Sequence, residues 1–321
     1  MNYREKVSDL FRSIENMVGT TDLNKMVMKA LRRSIHDFRE KDEEDFLKQF
    51  YELFETVKNT QPRIALVIDD FYQIWGALQK AKEEKHPEGH LYWERKILST
   101  IKCFQKSARD SRKKIIKKGS EQVKKNDVIL IHGISRTVLD ILVMARRSGK
   151  KFRVIVAEQE TEKTQQLIEI LTSSQIRFQV VPEYMLSHIE AEVTKVFLGA
   201  VTVNSQLNVV ADAGTNAIVS EFHLRHTPVY LFFSIRKFSL WASRSSHHTY
   251  KVKHIRTHTG KAKPITFERI KFSHDRIPLR LYDVFVTESG KMNADKIEAL
   301  YKKKFAERES WRVEFFDEEE E

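Results

Sequence analysis

Apolar residues recur every three or four positions through the first third of the chain, then gather into short unbroken runs. Between residues 22 and 38, Leu23, Met26, Val27, Ala30, Leu31 and Ile35 share one face of a predicted helix, with Thr21 or Asp22 placed to cap its start. Residues 43–57 repeat the period through Phe46, Phe50, Leu53 and Phe54. Residues 62–81 open with Pro62, which suits a first helical position. A turn at 85–90 ends that stretch, and a long helix is predicted from about Leu91 to Gly119. Glycine is scarce here and two-residue alternation is absent. These helices therefore pack as a bundle or layer, with their aromatic and methionine stripes as its core.

The texture changes after Gly119. Apolar runs at 127–133, 152–158, 176–183, 195–201, 228–234 and 281–290 read as buried strands. Helical stretches at 137–150, 163–174 and 185–193, and another after Gly214, lie between them. Such alternation implies an α/β fold with a parallel, doubly wound, Rossmann-like sheet. The expected domains are a helical unit at 1–120 and a Rossmann-like unit at 121–321. Ligands on such sheets sit beyond the carboxyl ends of the strands. That rule selects residues 133–136, 158–161, 201–204, 214–216 and 234–237.

Two of these turns suit an anion. Ser135 and Arg136 follow a strand and open a helix, although a plain strand-to-helix turn with a capping serine fits them equally. Gly214, Thr215 and Asn216 open a second helix, where backbone N–H groups attract negative charge, but Asp212 stands where it would repel an anion. Neither turn is a G-x-G-x-x-G or a P-loop, and no cofactor is expected. No Ser–His–Asp set, carboxylate pair or H-E-x-x-H motif is present by spacing, so no catalytic residue is assigned.

Charge adds a second candidate surface. The formal net charge is +11 although the chain ends in five acidic residues, Asp317–Glu321. Residues 235–272 hold ten lysines and arginines against one glutamate. They read as a solvated loop, or as a basic surface for RNA or an acidic protein. His247, His248, His254 and His258 lie in the same stretch, but without paired cysteines no metal is expected there. The single cysteine, Cys103, falls in a helical apolar stripe and is expected to be buried and structural. It permits no internal disulfide, which suits a reducing compartment. The start of the chain lacks the apolar core of a signal peptide, and no apolar run is long enough to span a membrane. A cytoplasmic protein is expected. Phe222, Leu224, Tyr230, Phe232, Phe238, Leu240 and Trp241 crowd one region, more than one sheet buries, which predicts a homodimer.

Several of these segments, in this order, resemble one family. The run begins at Ser111–Ile115 and continues through residues 129–142, 152–160, 196–204, 213–222 and 227–238. It closes at 272–290. It is similar to the alpha, beta and delta regulatory subunits of eukaryotic translation initiation factor 2B, a family that also holds methylthioribose-1-phosphate and ribose-1,5-bisphosphate isomerases. The resemblance implies a helical N-terminal domain, a Rossmann-like C-terminal domain and self-association. It also implies a ligand site for a sugar phosphate or nucleotide, formed by Ser135, Arg136, Glu158, Gly214, Thr215 and Asn216. The family's isomerases move protons with a cysteine and an aspartate, and those two positions fall here at Gly133 and Val201. Their lysine before the Gly-Thr falls at Asp212. A non-catalytic, translation-related scaffold is therefore expected. The alternative is an isomerase with relocated groups drawn from His132, Glu158 and Asp212.

Overall fold

The computed structural model describes residues 3–35, 43–60, 64–82, 90–159, 161–240, 249–256, 265–272 and 274–316. Pro62, the turn at 85–89, Trp241, His247, His248, His258 and the acidic tail lie outside these residues. Four helices come first: α1 (Tyr3–Ser34), α2 (Glu43–Lys58), α3 (Ala65–Lys82) and α4 (His90–Glu121). α1 starts far ahead of the predicted Thr21. It is two helical stretches joined across a break at Gly19 (φ 76°, ψ 165°), so the predicted start marks an internal kink.

Phe46, Phe50 and Phe54 of α2 pack on Phe71 and Trp75 of α3 and on Trp93 and Ile97 of α4. Rings stack at 5.9 Å (Phe50–Phe71) and 6.3 Å (Phe50–Trp75). Burying a side chain of this size contributes about 1.5–3 kcal/mol, so the aromatic stripes are core, as their period predicts. α4 continues out of this core. Its Ile97 and Ile101 belong to the core among the helices, whereas its Ile115 packs against the sheet. Cys103 is exposed, against expectation. The buried stripe of α4 runs through Ile97 and Ile101, and two residues beyond Ile101 turns the chain about 200° around the helix.

The second half comprises β1 (Val128–Ile131), α5 (Arg136–Arg147), β2 (Arg153–Glu158), α6 (Thr161–Ser173), β3 (Arg177–Pro182), β4 (Lys195–Gly199), β5 (Thr202–Val203), β6 (Asn208–Asp212), α7 (Thr215–Leu224), β7 (Val229–Phe232), β8 (Thr249–Arg256), β9 (Ile265–Phe272), β10 (His274–Pro278), β11 (Val284–Thr287), β12 (Gly290–Met292) and α8 (Ala294–Phe316). The main sheet runs β12-β11-β7-β4-β1-β2-β3. All its pairs are parallel except β11–β12. Successive residues face opposite sides. Ile129 and Ile131 lie under α4, α5 and α6, while Leu130 lies with α7 and α8. Coverage on both faces explains why these strands are apolar throughout.

Three expectations change. Residues 185–193 form 3₁₀ turns rather than an α-helix, because Leu186 is the one large apolar side chain buried in the two turns. Residues 208–212 form strand β6, which pairs antiparallel with β5 and β10 in a small second sheet. The basic stretch is not simply a loop. β8 and β9 pair antiparallel from Thr249↔Phe272 to Arg256↔Ile265, following the two-residue alternation within each strand. Phe222, Tyr230, Phe232 and Phe238 are buried within this chain and do not await a partner. No helix among the described residues is long and apolar enough to cross a membrane.

Buried charge joins the two halves. α3 carries Asp69 and Asp70 in an otherwise apolar run. Asp70 accepts from Asn24 Nδ2 at 2.8 Å and from Arg236, which follows β7. Asp69 accepts from Arg308 of α8, whose guanidinium lies 4.5 Å from the Tyr72 ring centre. Burial pushes the Asp70 carboxyl up to about 6, although Arg236 and Asn24 pull it down. A raised carboxyl binds its proton more tightly in the folded state, so this group adds stability as pH falls from about 6 towards its ordinary value of about 3.9.

Arg236→Met strands the Asp70 carboxylate. We expect a loss of about 3–5 kcal/mol at pH 7.5 and a smaller loss at pH 5, where Asp70 is protonated. Urea unfolding at the two pH values checks this, and an equal loss at both would show that Asp70 is not the stranded group.

Candidate functional site

The parallel strands end on one side of the sheet, and their following turns enclose a cleft. His132, Gly133, Ser135 and Arg136 come from the end of β1 and the start of α5. Gly199, Ala200 and Val201 follow β4, Asp212 ends β6, Thr215 starts α7, Lys163 comes from α6 and Lys237 follows β7. The roof is the kinked stretch of α1, with Glu15, Val18, Gly19 and Thr20. The strand-end rule therefore locates the cleft, but nothing local in the sequence announces that α1 covers it. The remaining space is about 50 Å³, room for a few waters at ~10–15 Å³ each.

Ser135 is the N-cap of α5, its Oγ accepting from Val138 N at 3.4 Å. Arg136 is half-exposed and donates from Nε to Asp22 Oδ2 at 3.2 Å, so its charge is shared with α1. Thr215 Oγ1 donates to the Asp212 carbonyl at 2.6 Å. It thereby accepts from His132 Nδ1 at 3.0 Å, and His132 Nε2 lies 3.4 Å from Glu183 Oε2. Both nitrogens of this buried histidine are thus engaged.

The other predicted site residues sit apart. Glu158 ends β2 opposite Pro182, and Glu158, Gly214 and Asn216 do not line the cleft. Gly214 adopts a left-handed conformation (φ 93°) before α7, with the Glu183 carboxylate packed against it. The Asn216 N–H donates to Asp275 Oδ2 at 2.8 Å. A protein carboxylate thus already occupies the anion-attracting end of α7.

Sequence reasoning passed over four charged groups. Lys163 Nζ lies 3.6 Å from Asp212 Oδ2. Lys237 Nζ donates to the Ala200 carbonyl, and burial pushes its amine down to about 8, with Glu15 and Asp212 opposing that shift. Glu15 of α1 and His274 of β10 meet beside the cleft, Oε2 to Nε2 at 3.3 Å. Lys237 lies within a strand-end segment and was legible in that sense. Glu15 and His274 arrive from elements far away in sequence, and no local pattern marks them.

Gly133 explains why the cleft is shaped as it is. Its φ is +71°, and a Cβ built there would lie 2.5 Å from Asp212 Oδ2. Asp212 fills the volume that a side chain at 133 would need.

A family model described as the Initiation factor 2 subunit family matches residues 17–294. The delta subunit of translation initiation factor eIF2B from Schizosaccharomyces pombe is 36% identical over 116 residues, covering 36% of this chain and 25% of that protein. An eIF-2B subunit 2-like protein of Pyrococcus furiosus is 29% identical over 136 residues, covering 42% of this chain and 49% of that protein. The matched part thus spans a quarter to about half of these curated relatives. Among solved structures, Pyrococcus horikoshii translation initiation factor eIF-2B superposes with a TM-score of 0.70 at 22% identity, covering 90% of this chain and 97% of that one. The tetrameric eIF2B-beta2-delta2 complex of Chaetomium thermophilum gives 0.68 at 17% identity, covering 94% and 93%. At such identities the structural likeness shows the fold.

Gly133→Ala should destabilise by about 1–2 kcal/mol from its left-handed backbone, plus the clash with Asp212. Adding Asp212→Ala should recover the clash component but not the backbone component. Thermal unfolding of both single variants and the double variant measures that coupling, and simple additivity would mean that the two positions do not compete for space.

Proposed function

We propose a role that starts from one fact: this chain belongs to the Initiation factor 2 subunit family. It is a translation-related protein of the regulatory-subunit type. In our reading it works in the cytoplasm without catalysis, as a self-associating scaffold whose basic forms are homodimers. A small phosphorylated molecule, a sugar phosphate or nucleotide, is its proposed ligand at the cleft.

The observation that carries the non-catalytic reading is the exchange at Gly133. Isomerisation of an aldose phosphate needs a titratable group beside each reacting carbon. Position 133 has no side chain, Val201 is apolar, and Asp212 stands in the space where a reactive side chain at 133 would project. Relocated catalysis finds little support. His132 has both ring nitrogens engaged, Glu158 lies off the cleft, and Asp212 faces Lys163. Lys163, Lys237 and Arg136 supply the positive charge that favours a phosphate, while Glu15 and Asp212 oppose it.

Self-association is supported by large apolar side chains left exposed on neighbouring elements of the fold. Tyr184 is 84% exposed and Leu224 76%. Their elements are tied together by Arg225 with Glu190 and by Glu183 against Gly214. The basic stretch at 236–272 is our second contact region, for RNA or an acidic protein.

Light scattering across a wide concentration range should find a dimer, shifted to monomer by the double change Tyr184→Glu and Leu224→Glu. A monomer at every concentration would overturn the scaffold reading. Purified protein should not convert methylthioribose 1-phosphate or ribose 1,5-bisphosphate to the ketose. Turnover abolished by Asp212→Asn would restore the enzyme reading.

A further inference from the structure

We infer that Glu15, Asp212 and His274 form a binding site for one divalent transition-metal ion, with Zn²⁺ the best match to the donor set. The three side chains bring one ligand atom each to within 4.8 Å of one another. Asp212 and His274 are directly opposed residues of β6 and β10, so their side chains leave the small sheet on the same face. Glu15 descends from α1, four residues before the break at Gly19, and is 4% exposed. Strand register supplies two donors and the kinked helix the third.

The carboxylate of Glu15 points to a ligand independently of that grouping. Its Oε2 is shut off from solvent and accepts no hydrogen bond among the described residues. A buried carboxylate oxygen without a donor is costly and calls for an explanation. It lies 3.3 Å from His274 Nε2, close enough for an ion pair yet without the alignment of a hydrogen bond. Two ligands of one tetrahedral Zn²⁺, each bonded at about 2.0–2.1 Å, stand about 3.3–3.4 Å apart. The separation therefore matches two donors aimed at a shared point.

The donor chemistry selects the ion. One imidazole nitrogen and two carboxylates suit zinc and its neighbours, whereas Mg²⁺ and Ca²⁺ prefer oxygen alone. Glu15 and Asp212 also line the adjoining cavity, which has room for a water as the fourth ligand of an open site. Lys163 beside Asp212, and the Lys237 amine near Glu15 and Asp212, place positive charge against the ion. They weaken the affinity relative to a site without neighbouring cations. A Glu15–His274 ion pair alone would leave Oε2 without a hydrogen bond. This site uses none of the histidines at 247–258 and does not depend on the ligand reading of the cleft.

The test is calorimetric titration of ZnCl₂ into the full chain after removal of metal with a chelator. We expect one ion per chain from this site and a higher melting temperature with zinc present. Glu15→Gln and His274→Gln should each weaken binding at least tenfold. The double change His254→Gln and His258→Gln should leave it intact. Melting curves without metal establish that each variant is folded, and two ligand variants guard against the loss of one. The proposal is overturned if the wild-type chain binds no zinc, if neither ligand variant weakens binding, or if binding is lost with His254 and His258 instead.

Discussion

Buried charge across the seam between the N-terminal helices and the sheet holds the rest of the structure in place. α1 contributes Glu15, and α3 contributes Asp69 and Asp70. The second half of the chain answers with His274, Arg308 and Arg236. Such pairs add little net stability compared with apolar replacements, yet breaking one strands a charge at high cost. They therefore act mainly on geometry. The helical layer and the sheet meet with Asp70 seated on Arg236 and Asp69 on Arg308, and α4 runs through both cores as a common spine.

That geometry decides what the cleft can be. Parallel strands deliver their turns to one end of the sheet by topology alone, and the same end in another member of the fold could be an open ligand site. Here the kinked α1 lies across it, and Asp212 occupies the volume beside Gly133. The result is a small, charged cavity in which each cation has a protein oxygen close by. Arg136 meets Asp22, Lys163 meets Asp212, and Lys237 meets a backbone carbonyl.

The fold tolerates wide change in sequence. Superpositions with TM-scores of 0.70 and 0.68 at 22% and 17% identity mean that most residues can change while strand order and helix packing remain. Apolar positions tolerate exchange of one apolar residue for another, whereas reactivity depends on single atoms. A family resemblance therefore transfers architecture more readily than chemistry. The residues at 133, 201 and 212 bear on catalysis more directly than the resemblance of the whole chain.

Much of the architecture was legible from the chain alone. The helical period identified α2 and α4 closely, and the short apolar runs identified β1, β2, β3, β4, β7 and β11. Both signals are local: an element that buries one face, or both, must repeat apolar residues at its own period. The missing side chain at Gly133, and its place at a strand end, were legible for the same reason. Other features were not. β5 and β6 are a short hairpin whose remaining partner, β10, arrives from far along the chain, and Asp69 and Asp70 look misplaced until Arg236 and Arg308 reach them. Cys103 seemed to belong to a stripe from which a 200° turn removes it. Glu15 meets His274 and Asp212 only because a kinked helix, a strand end and a returning strand converge. Sequence carries the periodicity of each element; which charges end up facing one another depends on distances between elements, and folding alone sets those.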